Sequence, residues 1–355
     1  MRIFEKQPLA PYTTFGIGGQ ARWFTEISSE DAIVEADTWA RQRGIPVFVL
    51  GGGSNVLVSD AGFAGLVLRL GLKGVEFVDS RDGTARRYRC AAGEEWDAFV
   101  ERAARENCAG IECLAGIPGT VGGTPVQNVG AYGQEVASAI VSVRGYDLRD
   151  RRFMEFAPQE CGFGYRRSRF NSTDRGRFIV TSVDFSLTRG GEPTLRYADL
   201  KSAFAGEARP SLTEVTAAIR RIRHSKGMVL VDCDPDCRSA GSFFKNPVVS
   251  MAQADAIAAL SAKALPRFAA GPGVENEGRV KLPAAWLIEQ AGFSKGYARG
   301  AAGISTRHTL ALVNRGGATA NDMLALADEI QAKVSEQFGV RLEMEPVMIG
   351  FDRLS

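Results

Sequence analysis

The run Pro46-Val47-Phe48-Val49-Leu50-Gly51-Gly52-Gly53-Ser54-Asn55-Val56-Leu57-Val58 decides the fold class. A β-branched, apolar segment enters three consecutive glycines and another leaves them, which reads as strand, loop, strand. A turn over 59–62 and a further strand, Leu66-Val67-Leu68-Arg69-Leu70, follow. P-loops and Rossmann fingerprints place their glycines between a strand and a helix, where the helix N-terminus helps to hold phosphate. Here the glycines lie between strands and no Gly-Lys-Ser/Thr follows, which sets the common nucleotide-binding folds aside. Backbone amides in such a loop still form an anion-binding nest.

Working outward, residues 28–43 read as a helix capped by Ser28 or Ser29, with Ile33, Ala36 and Ala40 on one face and Gly44 as its stop. Residues 96–106 form a second amphipathic helix that buries Trp96, Phe99, Val100 and Ala103. It leads into Gly110-Ile111-Glu112-Cys113-Leu114-Ala115-Gly116-Ile117-Pro118-Gly119-Thr120-Val121-Gly122-Gly123, too glycine-rich for a stable helix and too long for a simple turn. Residues 178–187 read as a strand, 213–223 and 321–337 as helices, and 241–249 and 309–314 as strands. The chain shows no internal repeat, and the class that results is α+β.

Composition narrows the function. Lys+Arg 43 against Asp+Glu 41 leaves a net charge of +2, so no overall field favours nucleic acid or a membrane surface. Glycine is the outlier, 40 of 355 residues or about 11% against a usual ~7%. Its clustering at 51–53 and 110–133 argues for close backbone approach to a ligand. The opening residues lack the apolar stretch of a signal peptide and no run reaches the ~18 apolar residues of a membrane span, so a cytoplasmic protein is expected. Six scattered cysteines make no disulfide framework, and two histidines with one close pair, Cys233/Cys237, make no metal site; that pair reads as a reduced loop.

Taken in order, these segments resemble the UDP-N-acetylenolpyruvoylglucosamine reductase family over nearly the whole chain. The resemblance rests on Thr13-Thr14-Phe15-Gly16-Ile17-Gly18-Gly19, Leu50-Gly51-Gly52-Gly53-Ser54-Asn55, Gly116-Ile117-Pro118-Gly119-Thr120-Val121-Gly122-Gly123 and Gln127-Asn128-Val129-Gly130-Ala131-Tyr132-Gly133. Gly164-Tyr165-Arg166, Gly241-Ser242-Phe243-Phe244-Lys245-Asn246-Pro247 and Leu342-Glu343-Met344-Glu345 follow with matching spacing. It implies an α+β FAD-binding fold of the PCMH/vanillyl-alcohol-oxidase type: one subdomain over 1–70 joined by 346–355, a second over 71–228, and a substrate-binding domain over 229–345. It also implies non-covalent FAD, NADPH as hydride donor, a UDP-sugar enolpyruvyl ether as substrate, and peptidoglycan precursor synthesis as the setting. No nucleic acid, membrane or metal partner is expected, and the chain is expected to be a monomer.

FAD carries a pyrophosphate and a wide ring, so its binder must bring main-chain N–H groups close without β-carbons in the way. Gly51, Gly52 and Gly53 with Ser54 and Asn55 fit that need, as do Gly116, Ile117, Pro118, Gly119, Thr120, Gly122 and Gly123. For a single such loop, tight turning would be explanation enough; two long ones favour a ligand. The resemblance adds Asn128, Gly130, Ala131, Tyr132 and Arg223 as cofactor contacts.

The family reaction has two halves: NADPH gives a hydride to the flavin, and the flavin gives it to the methylene carbon of the enolpyruvyl group. The second half places negative charge on the substrate carboxylate, which calls for a fixed donor there and a proton source at the neighbouring carbon. Arg166, whose planar fork matches a carboxylate, takes the first role by resemblance, against the reading of an exposed basic loop shared with Arg167 and Arg169. Ser242 resembles the proton donor, and strand alternation puts Ser242, Phe244 and Asn246 on one face and Phe243 and Lys245 on the other. By resemblance Glu345 is the third member; alternation does not separate it from Glu343, and the spacing to Ile349-Gly350 in the family pattern selects it. Tyr197, Lys226, Asn246 and Gln290 match substrate-contacting positions, Tyr197 being the tyrosine of the type I form, and His308 reads as a packing or surface residue. Two other readings compete: an oxidase of the same fold with covalently held FAD, against which the first histidine comes only at His224, and a non-catalytic nucleotide-binding module.

Overall fold

The computed structural model describes residues 1–205, 209–231, 234–271 and 276–351. By internal packing the chain forms two units, one of Met1–Gln7, Ala21–Gly53 and Phe63–Ser225 and one of Pro8–Gln20, Ser54–Gly62 and Lys226–Ser355. Cys233 of the cysteine pair lies outside the described residues.

The first unit is built on two sheets. In the smaller, Phe63–Leu70 runs parallel to Gln20–Ile27 on one side and to Val47–Leu50 on the other, and Phe4–Pro8 pairs at the outer edge. Helix α1 (Glu30–Arg41) joins Gln20–Ile27 to Val47–Leu50; Ser29 caps it, its hydroxyl accepting from the Ala32 amide at 3.2 Å. Its Ile33, Ala36 and Ala40 pack on Leu66, Leu68 and Leu70, alternate residues that share one face of their strand. The larger sheet is antiparallel, in the order Arg152–Phe156, Ile140–Asp147, Phe178–Arg189, Ala85–Ala91, Val75–Asp79. Helices α2 (Trp96–Arg105) and α4 (Leu212–Ser225) share the core that contains Val183, Phe185 and Leu187, while α3 (Ala198–Ala203) precedes α4. The buried Trp96 indole donates to the Leu114 carbonyl at 3.1 Å, which ties the start of α2 to the glycine-rich segment after it.

In the second unit Val347–Ile349 pairs parallel with Val56–Val58. Two small antiparallel sheets, Val248–Ser250 with Arg279–Lys281 and Phe268–Ala269, and Ala298–Arg299 with Ala302–Ile304 and Leu312–Asn314, share it with α5 (Met251–Ala259), α6 (Ala284–Gln290) and α7 (Ala320–Phe338). One apolar core joins Phe243, Phe244, Leu287, Ile304, Leu312, Met323 and Ile330. Thr319 caps α7 together with Asp322, and Gly339 at φ +61° ends it.

The strand expected over 241–249 is a correction. Only Val248–Ser250 is regular strand; before it, Ser242 and Phe244 make single bridges to Ala311 and Met344. Phe243 and Phe244 are both buried, their rings 5.3 Å apart. The segment is packed from both sides and cannot give one side to solvent. The 343–345 segment is likewise no strand beyond its one bridge at Met344.

Candidate functional site

The two glycine-rich loops meet in the first unit. A β-carbon placed on Gly52 would lie 2.6 Å from Gly119 Cα, and one on Gly51 would lie 2.9 Å from the Thr120 hydroxyl oxygen. Real β-carbons do not come that near backbone, so glycine at 52 is what lets the loops close on each other. The division of the chain falls inside the first loop, with Gly51, Gly52 and Gly53 in the first unit and Ser54 and Asn55 in the second.

The amides of these loops fall into two groups. The Gly116 N–H donates to Asp97 Oδ1 at 2.6 Å, Val121 to the Glu94 carbonyl, Gly122 to the Ala92 carbonyl and Gly123 to the Thr120 carbonyl. Gly122 also closes on Ala92, whose Cβ would be 2.6 Å from an added one. Among the described residues, the amides of Gly52, Gly53, Gly119 and Thr120 donate to no protein acceptor. Gly53 is buried and Gly119 and Thr120 are partly buried, whereas Gly52 is exposed; enclosed amides without a protein acceptor are the groups that an anion would satisfy. The amides of Gly52, Gly53, Gly119 and Thr120 are therefore the donors available at this junction to an anion such as a dinucleotide pyrophosphate, while those of Gly116, Gly122 and Gly123 are taken by protein acceptors. Ile117 packs on the core of the unit beside them, with Pro118 next in sequence.

Beside this junction stand the other predicted contacts of the first unit. Gly130–Ala131 pairs with Gln134–Glu135 around Tyr132 and Gly133, at φ +50° and +80°, the positive pair of a type I′ hairpin turn. Tyr132 meets Tyr197 edge to face with ring centroids 5.3 Å apart. A β-carbon on Gly130 would lie 2.9 Å from Glu135 Cγ and 3.1 Å from the Gln134 carbonyl, with Arg166 Nη1 in ordinary contact at 3.5 Å, so the hairpin needs glycine there and the guanidinium lies beside it. Asn128, 1% exposed, is fully engaged: its amide nitrogen donates to Glu135 Oε2 at 2.9 Å and to the Gly164 carbonyl at 3.0 Å, and its oxygen accepts from the Ala137 amide. It therefore holds the turn that carries Arg166.

Arg223, buried on α4, donates through Nε to the Gly116 carbonyl at 3.0 Å. Burial pulls its pKa below the usual arginine range, with Tyr132 and then Asp97 opposing and Arg166 adding to the fall. Asp97 and Arg220, which grip Gly116 from the same side, were not singled out by sequence; the usable signal was an acid in the first turn of α2 and an arginine one helical turn before Arg223.

In the second unit, the Glu345 amide donates to the Phe243 carbonyl and the Lys245 amide to the Glu343 carbonyl, so Ser242 and Glu345 ride on neighbouring main-chain segments. Glu343 is mostly exposed and forms an ion pair with Lys245. Asn55 holds the Glu345 segment from the other side, its Nδ2 donating to the Glu345 carbonyl at 3.2 Å and its carbonyl accepting from Val347. Pro346 falls between two bonded amides, so its missing N–H removes no bond. Asn246 Oδ1 accepts from the Ala284 amide at 2.9 Å at the start of α6, and Gln290 Oε1 accepts from the Ser261 hydroxyl at 2.8 Å at its end. Lys226 follows α4 directly and acts electrostatically on His308. Among the described residues no group of three or more metal-ligating side chains comes together, and no helix is long and apolar enough to cross a membrane.

Two glycine loops closed on each other, with main-chain donors that no protein acceptor engages, fit a protein that binds a dinucleotide on an α+β frame. Residues 22–150 match the FAD binding domain family and residues 234–349 the UDP-N-acetylenolpyruvoylglucosamine reductase C-terminal domain. The UDP-N-acetylenolpyruvoylglucosamine reductase of Thermobifida fusca (strain YX) is 47% identical over 97% of both chains, and that of Streptomyces coelicolor 45% identical over 97% of this chain and 89% of its own. The crystal structure of the reductase from Thermus caldophilus superposes with a TM-score of 0.66 at 28% identity, covering 98% of this chain and 99% of that one. The chain belongs to the UDP-N-acetylenolpyruvoylglucosamine reductase family.

Proposed function

We propose that this protein reduces the enolpyruvyl ether of a UDP-N-acetylglucosamine derivative to the corresponding UDP-N-acetylmuramate, using FAD and NADPH, in the synthesis of peptidoglycan precursors. The observation that carries the cofactor is the loop junction, where the amides of Gly52, Gly53, Gly119 and Thr120 are unengaged by protein. FAD, when bound, supplies the means of passing a hydride from nicotinamide to substrate. Everything else is the work of side chains.

In this reading Arg166 binds the substrate carboxylate through its fork and holds the negative charge that grows there. Ser242 delivers a proton from its hydroxyl to the carbon next to that carboxylate. Glu345 brings a carboxyl group to the same end of the substrate, and its neighbour Glu343, paired with Lys245, does not. Tyr197, set edge to face against Tyr132, faces the UDP-sugar as in the type I form. Lys226 binds the diphosphate, with Asn246 and Gln290 as further substrate contacts. The functional division is an FAD-binding part over 1–70 with 346–355, a second over 71–228 and a substrate part over 229–345. The enzyme acts in the cytoplasm, as a monomer.

Stopped-flow absorbance of the purified yellow protein tests this. NADPH bleaches the flavin band and the enolpyruvyl UDP-sugar restores it; Ser242→Ala leaves the bleaching rate unchanged and slows the restoration by about 10²-fold or more. Equal slowing of both steps removes Ser242 from proton delivery, and a protein without a flavin band ends the proposal.

A further inference from the structure

Gly116 opens the second glycine loop at φ +71°, with the side chains of Arg223 and Arg220 against it: an added β-carbon would lie 3.2 Å from Arg223 Cδ and 3.4 Å from Arg220 Cγ. Its amide and carbonyl are both held. The N–H donates to Asp97 Oδ1 at 2.6 Å and the carbonyl accepts from Arg223 Nε at 3.0 Å. The same Asp97 carboxylate accepts from Arg220, Nη2 to Oδ1 at 2.9 Å and Nε to Oδ2 at 3.2 Å.

Asp97 stands in the first turn of α2, where a carboxylate is favoured by the helix dipole alone. The dipole does not explain why both of its oxygens reach off the helix, one to the loop and both to α4. Nor does it explain the electrostatics around Arg223. A buried guanidinium needs nearby negative charge to remain charged at low cost; Tyr132 and then Asp97 act on Arg223 in that sense, Asp97 from the other side of the same Gly116 peptide while paired with Arg220 at 2.9 Å.

We propose that Asp97 is a positioning residue of the cofactor site: through Gly116 it fixes where the 116–120 loop begins, and its charge offsets that of the buried Arg223. The inference rests on the reading that the chain binds FAD through its glycine loops. Two substitutions separate the parts. Asp97→Asn keeps an oxygen for the Gly116 N–H and removes the charge; Asp97→Ala removes both.

Apoprotein of each variant, titrated with FAD and followed by flavin fluorescence quenching, gives Kd; dye equilibration of the reconstituted holoprotein gives the midpoint potential. The Ala variant binds FAD on the order of tenfold more weakly, as expected for loss of a charge-assisted bond that sets the loop. The Asn variant binds close to wild type, and its flavin potential moves to a more positive value, because an uncompensated guanidinium favours the negative charge gained on reduction. A merely structural role lowers the melting temperature of both apoproteins and leaves the potential of the retained flavin where it was, and that result overturns the inference. So does a wild-type Kd and potential in both variants. Failure of the wild-type apoprotein to take up FAD sinks the cofactor reading and the inference with it, whereas variants that match a binding wild type sink the inference alone.

Discussion

Gly52→Ala is the sharpest test of how the two loops work together. The added methyl would lie 2.6 Å from Gly119 Cα, 3.0 Å from Gly119 C and 3.3 Å from Thr120 N. Carbon atoms in contact sit about 3.5–4.0 Å apart, so the shortfall is about 1 Å. All three opposing atoms are main chain and cannot rotate away; the loops must part. Overpacking of this kind costs about 1–3 kcal/mol. If that cost falls on the closed arrangement that binds FAD, Kd rises about 5- to 150-fold, at 1.4 kcal/mol per factor of ten. Gly71→Ala is the control, the same chemical change in the same unit, where the methyl would meet only the Ile27 carbonyl at 3.4 Å. Apoproteins of both variants and of the wild type are titrated with FAD by fluorescence quenching, and their melting temperatures are measured without cofactor. The expected result is weak FAD binding by Gly52→Ala at a melting temperature near that of Gly71→Ala. FAD binding by Gly52→Ala indistinguishable from wild type would refute the reasoning, since the donors on the two loops would then not need to be closed together.

Two further outcomes follow from the second unit. Glu345→Gln lowers kcat by about 10²-fold or more in steady-state assay, while Glu343→Gln, which breaks only an exposed pair with Lys245, leaves kcat unchanged; equal losses would show that the two glutamates had been wrongly separated. His308 gives a pH signature: burial, then Lys226 and Lys295, pull its pKa from 6.5 to about 4. The unfolded chain then binds a proton between those values that the folded chain does not, so this contribution to stability is complete above the unfolded pKa and is lost as pH falls towards the folded one. Urea melts over that window should show a slope that His308→Gln flattens; an unchanged slope would place the titration elsewhere.

Helices and strands with strong local signals were legible. Ser29 and Gly44 bracket α1, and Thr319 and Gly339 bracket α7, because caps satisfy backbone groups that must be satisfied wherever the helix sits. The 241–249 segment was legible only at its end: Val248–Ser250 is strand, while Ser242 and Phe244 make single bridges to Ala311 and Met344, partners from distant segments that local sequence does not show. The loops were legible as loops from their glycines alone. Which amides within them remain for a ligand was not, since the acceptors for Val121 and Gly122 are the carbonyls of Glu94 and Ala92, nearly thirty residues earlier. Choosing Glu345 over Glu343 needed the resemblance; the sequence did not show that Glu343 pairs with Lys245 or that Asn55 bonds the Glu345 carbonyl, since both depend on contacts between distant segments.

That pattern changes what the polar residues of the site are for. Asn128, Tyr132 and Arg166 all have positive φ, at +44°, +50° and +53°, a conformation that costs energy for residues other than glycine and persists only where surrounding bonds enforce it. For Tyr132 the enforcement is the hairpin pairing of Gly130–Ala131 with Gln134–Glu135. For Arg166 it is the bonded pair between Gly164 and Arg167, the Asn171 amide on the Arg166 carbonyl, and Asn128 on the Gly164 carbonyl. Asn128 and Asn55 thus serve alike in the two units: each uses its carboxamide to hold a main-chain carbonyl at or beside a side chain proposed to act, Gly164 near Arg166 and Glu345 itself. Asn55, Asn128 and Asn246 thus each hold main chain as well as standing at positions expected to meet a ligand. The distinction has a consequence for substitution: loss of Asn128 should displace the Arg166 turn and impair substrate turnover more than it impairs FAD binding, the reverse of the order expected for a residue that touches the cofactor.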